Sequence, residues 1–168
     1  NNCIVSVAFR ESYVKHSIRQ ENELMKNYPD VSSEMMFFRD KLPAKECIYD
    51  KDIVSHFQKS LYGFKPHAIQ RAIDKRYKKI IWLDPSVLPT APIQVLIDSL
   101  DEHPIIVRTG DAPLAKMTNQ KALDWFGVTP GLLEGVNHIG GTIYAFNFEH
   151  PKAIEVFRYS LSWCIELG

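Results

Sequence analysis

The sequence predicts an α/β fold, a three-layer sandwich with helices on both faces of a mainly parallel sheet. Three observations carry that prediction. Short apolar runs of strand length, such as Cys3 to Phe9 (CIVSVAF) and Ile80 to Asp84 (IIWLD), lack the polar alternation of a half-exposed strand and so need cover on both faces. Between the runs, apolar residues recur at helical spacing. No internal repeat or low-complexity linker breaks the alternation, and a strand–helix–strand order returns successive strands parallel to one another. With 168 residues, one core is expected, because a chain of that size removes roughly 70% of its unfolded surface from water. The expected single domain covers residues 1–168, open to truncation at its C-terminal end.

Each element has its own signal. Cys3 to Phe9 opens as a strand. Ser12 is placed to cap the next helix, in which Val14, Ile18 and Met25 recur with Leu24 beside them until Tyr28-Pro29-Asp30 stops it. Met35 to Phe38 reads as a second strand. Asp40 to Phe64, with Pro43 and Asp50-Lys51-Asp52, reads as loop holding a short helix around Ile53 to Leu61. Pro66 suits a first helical turn, and Ile69, Ala72, Ile73 and Tyr77 follow on one face. Ile80 to Asp84 is the strongest strand, and Pro85 cannot continue it as a central one. Ile93, Leu96, Ile97 and Leu100 mark a helix, Ile105 to Val107 a strand, Thr118 to Phe126 a helix capped by Thr118, and Pro130 to Leu133 a helical turn. His138 to Phe148 (HIGGTIYAFNF) reads as a strand entered through a Gly-Gly pair. The last helix, from Pro151, repeats Ile154, Phe157, Leu161 and Cys164.

Composition excludes several classes. Twenty Lys plus Arg balance twenty Asp plus Glu, which removes the bulk attraction expected of a nucleic-acid or membrane-surface binder, so no nucleic-acid partner is expected and any phosphate must be held locally. Cys3, Cys47 and Cys164 show no metal or redox spacing and read as free thiols of a reducing, cytoplasmic compartment. No apolar run approaches the roughly 20 residues of a membrane span. The chain begins Asn1-Asn2 without Met, which leaves room for an upstream anchor or signal. The six His form no HxxxH or HExxH pair, and GxSxG, GxxxxGK[ST] and GxGxxG are all absent.

In open α/β sheets, ligands bind beyond the carboxyl ends of strands. Three places fit: Ala8 to Ser12, Asp84 to Ser86, and Thr109 to Asp111. Asp84 is the sharpest, because an ionised carboxylate past a buried strand needs a partner or a cleft. It reads either as the cap of the turn through Pro85 and Ser86 or as a site residue, which with a divalent cation could bridge protein and diphosphate.

This stretch, Trp82-Leu83-Asp84-Pro85-Ser86, resembles the acidic motif of the GT-A glycosyltransferases, the nucleotide-diphospho-sugar transferase fold. Asp84 stands at the first acidic place and Ser86 where the last Asp would be. The resemblance implies a metal, Mn²⁺ or Mg²⁺, on Asp84, with a neutral hydroxyl as weaker second ligand. Tyr62-Gly63-Phe64-Lys65-Pro66 looks like the aromatic, Gly, aromatic, Lys-Pro signature of bacterial sugar transferases, which puts Lys65 at a helix start, suited to a diphosphate or simply solvated. Gly140 and Gly141 match the strand that walls the donor sugar in that fold, with a bulge or tight turn as the alternative. Ala8, Phe9 and Arg10, at the end of the first strand, correspond to the pocket for base, ribose and phosphate. Asp111 is the best general base in sequence, or else a cap for the turn at Pro113.

The resemblance covers Cys3 to Leu167 and implies hexosyl transfer from a nucleotide-diphosphate sugar to a saccharide, protein or lipid acceptor. The rival is a binding or structural module that kept the fold and lost the chemistry.

Overall fold

The computed structural model describes residues 1–29, 35–39, 50–59 and 63–167, with side chains for all of these but 56–59 and 163–167. Expectations for Pro43, Cys47, Leu61 and Tyr62, and for the side chain of Cys164, lie outside it. The elements run β1 (Asn2–Ala8), α1 (Glu11–Asn27), β2 (Met35–Arg39), α2 (Lys51–Lys59), α3 (Phe64–Asp74), β3 (Lys79–Leu83), α4 (Gln94–Glu102), β4 (Ile105–Pro113), α5 (Leu114–Met117), α6 (Gln120–Phe126), a 3-10 turn (Pro130–Leu133), β5 (Asn137–Asn147) and α7 (Pro151–Leu167). The described helices include none long and apolar enough to cross a membrane.

The five strands are ordered β2-β1-β3-β5-β4, so the IIWLD run is the middle strand. β1 is parallel to β2, with Ile4 opposite Met35, and to β3, with Val5 opposite Trp82. β5 is antiparallel to β3, with Trp82 opposite Tyr144. The expected α/β sandwich is thus found, with the parallel order confined to what helical crossovers dictate. The chain reaches β5 from residues 107–141, which form their own compact unit and impose no crossover.

The period of two along each strand sorts the core into two clusters. Cys3, Val5, Val7, Met36, Phe38, Ile80, Trp82 and Phe146 point to one face, under Ile53 of α2, Phe64, Ala68, Ile69 and Ala72 of α3, and Ala153 and Phe157 of α7. Ile4, Phe37, Ile81, Leu83 and Ala145 point to the other, under Leu24 of α1 and Ile93, Ile97 and Leu100 of α4. Both faces of β3 are therefore dry, as its uninterrupted apolar run demands.

Several helix details differ from the sequence reading. The residue ahead of α1 is Arg10, at φ 73° and ψ 147°, and Ser12 lies inside the helix. The inner face of α1 is Val14, Ser17, Gln20 and Leu24, while Met25 is exposed. Two of those inner residues are polar, so apolar periodicity alone picks the wrong stripe. Asn119, not Thr118, caps α6 by accepting from the Ala122 N–H at 2.8 Å. Thr118 instead donates to the Leu114 carbonyl and closes α5.

Asp50 joins two helices. Its Oδ1 accepts from the backbone N–H of Asp52 at 2.9 Å and Ile53 at 3.2 Å, capping α2, while Oδ2 accepts from Arg71 Nε on α3 at 2.7 Å. Burial alone would push its carboxyl up, but the Arg71 hydrogen bond, the two N–H donors and the Arg71 charge hold it below the ordinary value of 3.8. The stabilisation is therefore complete above that value and is lost as pH falls through the lower folded value. Asp50→Ala is expected to cost about 1–2 kcal/mol near neutrality. In urea denaturation the gap between variant and wild type should close in strong acid, and a gap independent of pH would contradict the assignment.

The unit Val107–Gly141 holds most of β4, α5, α6 and the start of β5. Within it, the His138 ring lies against Gly110, where an added Cβ would sit 2.0 Å from the ring, and His138 Nδ1 is 3.1 Å from the Ala112 carbonyl oxygen. Gly127 ends α6 in the left-handed conformation at φ 62°, the usual glycine stop.

Candidate functional site

β3 ends at Leu83, and the next residue, Asp84, opens a tight turn at the carboxyl edge of the sheet. The Asp84 N–H donates to the Thr142 carbonyl at 2.8 Å, and the Val87 N–H returns to the Asp84 carbonyl at 2.9 Å. Asp84 Oδ1 accepts from both the N–H (3.1 Å) and the hydroxyl (2.7 Å) of Ser86. The capping role weighed for Asp84 is real. It uses one carboxylate oxygen, and the second is aimed elsewhere.

That oxygen, Oδ2, lies 3.9 Å from Lys65 Nζ. Lys65 occupies the first turn of α3, which packs on β1 and β3. A helix on one face of the sheet and a strand within it thus deliver a cation and an anion to the same edge. The Lys65 side chain is 9% exposed and that of Asp84 21%. The Lys65 ammonium also lies over the Trp82 ring, 5.2 Å from its centroid, a cation–π contact. Trp82 is held in turn by Phe64 at 6.1 Å and by stacking on Tyr144 at 5.9 Å. Burial pushes the Lys65 ammonium below the ordinary lysine range, and the Asp84 carboxylate offsets part of that shift.

The opposite face contributes through α1. Gln20, fully buried, donates from Nε2 to the carbonyls of Asp84 (2.8 Å) and Val87 (2.6 Å), clamping both ends of the turn. His16 and Arg19, on the adjoining turn of α1, line a cavity of about 120 Å³ with Pro85, Ser86 and Leu88. Sequence reasoning missed these three residues. Their signal is a glutamine at a core-facing position of α1, where a buried amide must have backbone carbonyls to serve.

At the end of β1, Ala8 and Phe9 are buried, with Phe9 edge-on to Phe64 at 5.6 Å, so their side chains belong to the core. Arg10 is exposed, and its positive φ is a conformation that L-residues rarely adopt. Asp111 lies inside β4 and is exposed, because that strand runs on to Pro113 instead of ending at Val107. Gly140 and Gly141 lie inside β5, which starts at Asn137, and neither has positive φ. The pair is extended strand, not a turn. Lys65, Asp84 and Ser86 are the expected site residues that the fold brings together in the larger unit.

The donor set does not suit a divalent cation. Oδ1 of Asp84 is taken by two donors, Oδ2 faces an ammonium, and no group of three His, Cys, Asp or Glu side chains converges among the described residues. A cation held by Oδ2 at about 2.1 Å would sit within about 6 Å of Lys65 Nζ, where like charges repel.

No protein-family profile matches the sequence, and no curated protein matches it. Solved structures align with this chain. Mouse xyloside xylosyltransferase 1 aligns with a TM-score of 0.56 and 13% identity over 99% of this chain and 74% of its own. A glycosyltransferase involved in glycosylating the major capsid of PBCV-1 aligns at 0.45 and 19% identity, over 95% of this chain and 65% of that one. The mannosyltransferase Ktr4p of S. cerevisiae aligns at 0.45 and 11%, over 97% and 61%. This chain therefore spans less than two thirds of the length of the last two. The fold is GT-A-like and shared with the xylosyltransferase, as the acidic strand end and the Lys-Pro helix start implied.

Proposed function

We propose that this chain binds a nucleotide-diphosphate sugar at the carboxyl edge of β3 and transfers its hexosyl group to a saccharide, protein or lipid acceptor. The observation that supports this reading is the buried Lys65 beside Asp84 at the end of the middle strand. A buried ammonium is costly to keep, and a carboxylate 3.9 Å away offsets the cost incompletely. A diphosphate would meet this ammonium with negative charge of its own.

In the reaction, the bond between the anomeric carbon and the β-phosphate oxygen breaks, and its electron pair passes to that oxygen. Lys65 meets the charge that develops there, supplemented by the N-terminal N–H groups of α3. The acceptor hydroxyl oxygen forms the new bond to the anomeric carbon and gives up its proton to water. Arg10, past the end of β1 and at positive φ, carries a guanidinium suited to a phosphate, which supports a phosphate contact there. The three cysteines, without metal or redox spacing, support a cytoplasmic setting.

Ser86, bonded to Asp84 where a second acid would stand, favours a second reading, a donor-binding module without turnover. Incubation with a panel of sugar nucleotides separates the two. Release of nucleoside diphosphate supports the transferase, and binding without release supports the module. Neither binding nor release with any donor would remove both readings.

A further inference from the structure

We infer that the donor diphosphate is held here without a divalent metal, with the Lys65 ammonium in the place a metal would take. The inference rests on the donor-binding reading above and departs from the metal that the acidic motif implies. Three features of the Asp84 turn carry it.

The first is occupancy of the carboxylate. Ser86 places its N–H and its hydroxyl proton on Oδ1, so the residue at the second acidic place acts as donor to Asp84 and not as a second anionic ligand. The second is the ammonium opposite Oδ2 at 3.9 Å, fixed by the Trp82 face and the first turn of α3. The third is the Gln20 clamp, which bonds the Asp84 and Val87 carbonyls and so withdraws from the turn two oxygens that a hard cation could use.

Charge supports the same assignment. A metal in such a site bridges carboxylate and phosphate because two anions need a cation between them. Here the cation is built into the chain. Being 9% exposed, it acts through a medium less screening than water, and the N–H groups of α3 add partial positive charge beside it. Asp84 then serves as a positioning residue. It keeps the buried ammonium charged and aimed, and its remaining acceptor capacity is free for a hydroxyl of the donor.

The test is calorimetric titration of UDP, and separately GDP, into the protein in EDTA and in Mn²⁺, with wild type, Lys65→Gln and the double variant Lys65→Gln/Ser86→Asp. For wild type, affinity in EDTA should match that in Mn²⁺ within about threefold. Lys65→Gln should lose about tenfold or more in EDTA, with no recovery on adding Mn²⁺. The double variant, which removes the ammonium and supplies a second carboxylate, should bind more tightly in Mn²⁺ than in EDTA, showing that the assay detects a metal when the site can hold one. Thermal melts confirm that each variant is folded. Wild-type affinity that rises about tenfold or more with Mn²⁺ overturns the inference and leaves donor binding intact. Absence of binding by either nucleotide under both conditions overturns the donor-binding reading and this inference with it.

Discussion

Lys65→Met is expected to weaken nucleoside-diphosphate binding by about tenfold or more, leave binding of the bare nucleoside unchanged, and leave the unliganded protein at least as stable as wild type. The three outcomes follow from one geometry. Methionine matches the length of the lysine stem and keeps its packing on Trp82, but it cannot meet the diphosphate. The wild-type protein carries the desolvation cost of an ammonium that is 9% exposed. Replacing such a group by an apolar one of similar volume is often neutral or stabilising by about 1 kcal/mol or more. Asp84 is not stranded by the change, because Ser86 still serves Oδ1 and its side chain reaches solvent. Calorimetry with nucleotide and nucleoside, beside a thermal melt, reads all three. Equal loss of both ligands with a lower melting temperature would make Lys65 a structural residue.

Trp82→Ala is expected to remove about 3–5 kcal/mol of stability, the usual cost of truncating a large buried aromatic. Trp82 is fully buried at the middle of the sheet and touches Phe64 on α3 and Tyr144 on β5. Its loss leaves a cavity between α3 and the sheet that rigid backbone elements cannot collapse to fill. For a domain with about 5–15 kcal/mol in all, roughly a fifth or more of the stability would go. The same substitution removes the face beneath Lys65, so residual folded protein should also bind the diphosphate more weakly. Chemical denaturation measures the first effect. A cost under about 1 kcal/mol would show that the packing around Trp82 is not as tight as its burial indicates.

The helix and strand order was legible because β3 and β1 lack exposed faces and their apolar runs cannot be read another way. The meeting of Lys65 and Asp84 was legible too, through the length of one helix and one strand between them. What stayed hidden was set by polar groups in apolar places. Gln20 and Ser17 sit where periodicity expects hydrocarbon, and they are stable there only because of partners distant in sequence: Asp84 and Val87 for Gln20, Arg39 for Ser17. The continuation of β4 through Asp111 was hidden because its residues beyond Val107 are mostly exposed polar or small ones, with no apolar pattern to extend. The Ser86 hydroxyl was legible as a residue type but not as a donor, since its direction depends on a turn geometry that spacing does not reveal.

The claim that the Lys65 and Asp84 edge is a diphosphate site is tested most directly by a crystal structure of the protein grown with UDP or GDP. The account predicts density for the two phosphates at the carboxyl end of β3, with a phosphate oxygen within about 3 Å of Lys65 Nζ. A nucleotide whose phosphates lie away from Lys65, or an unchanged Asp84 turn with no nucleotide at saturating concentration, would contradict it.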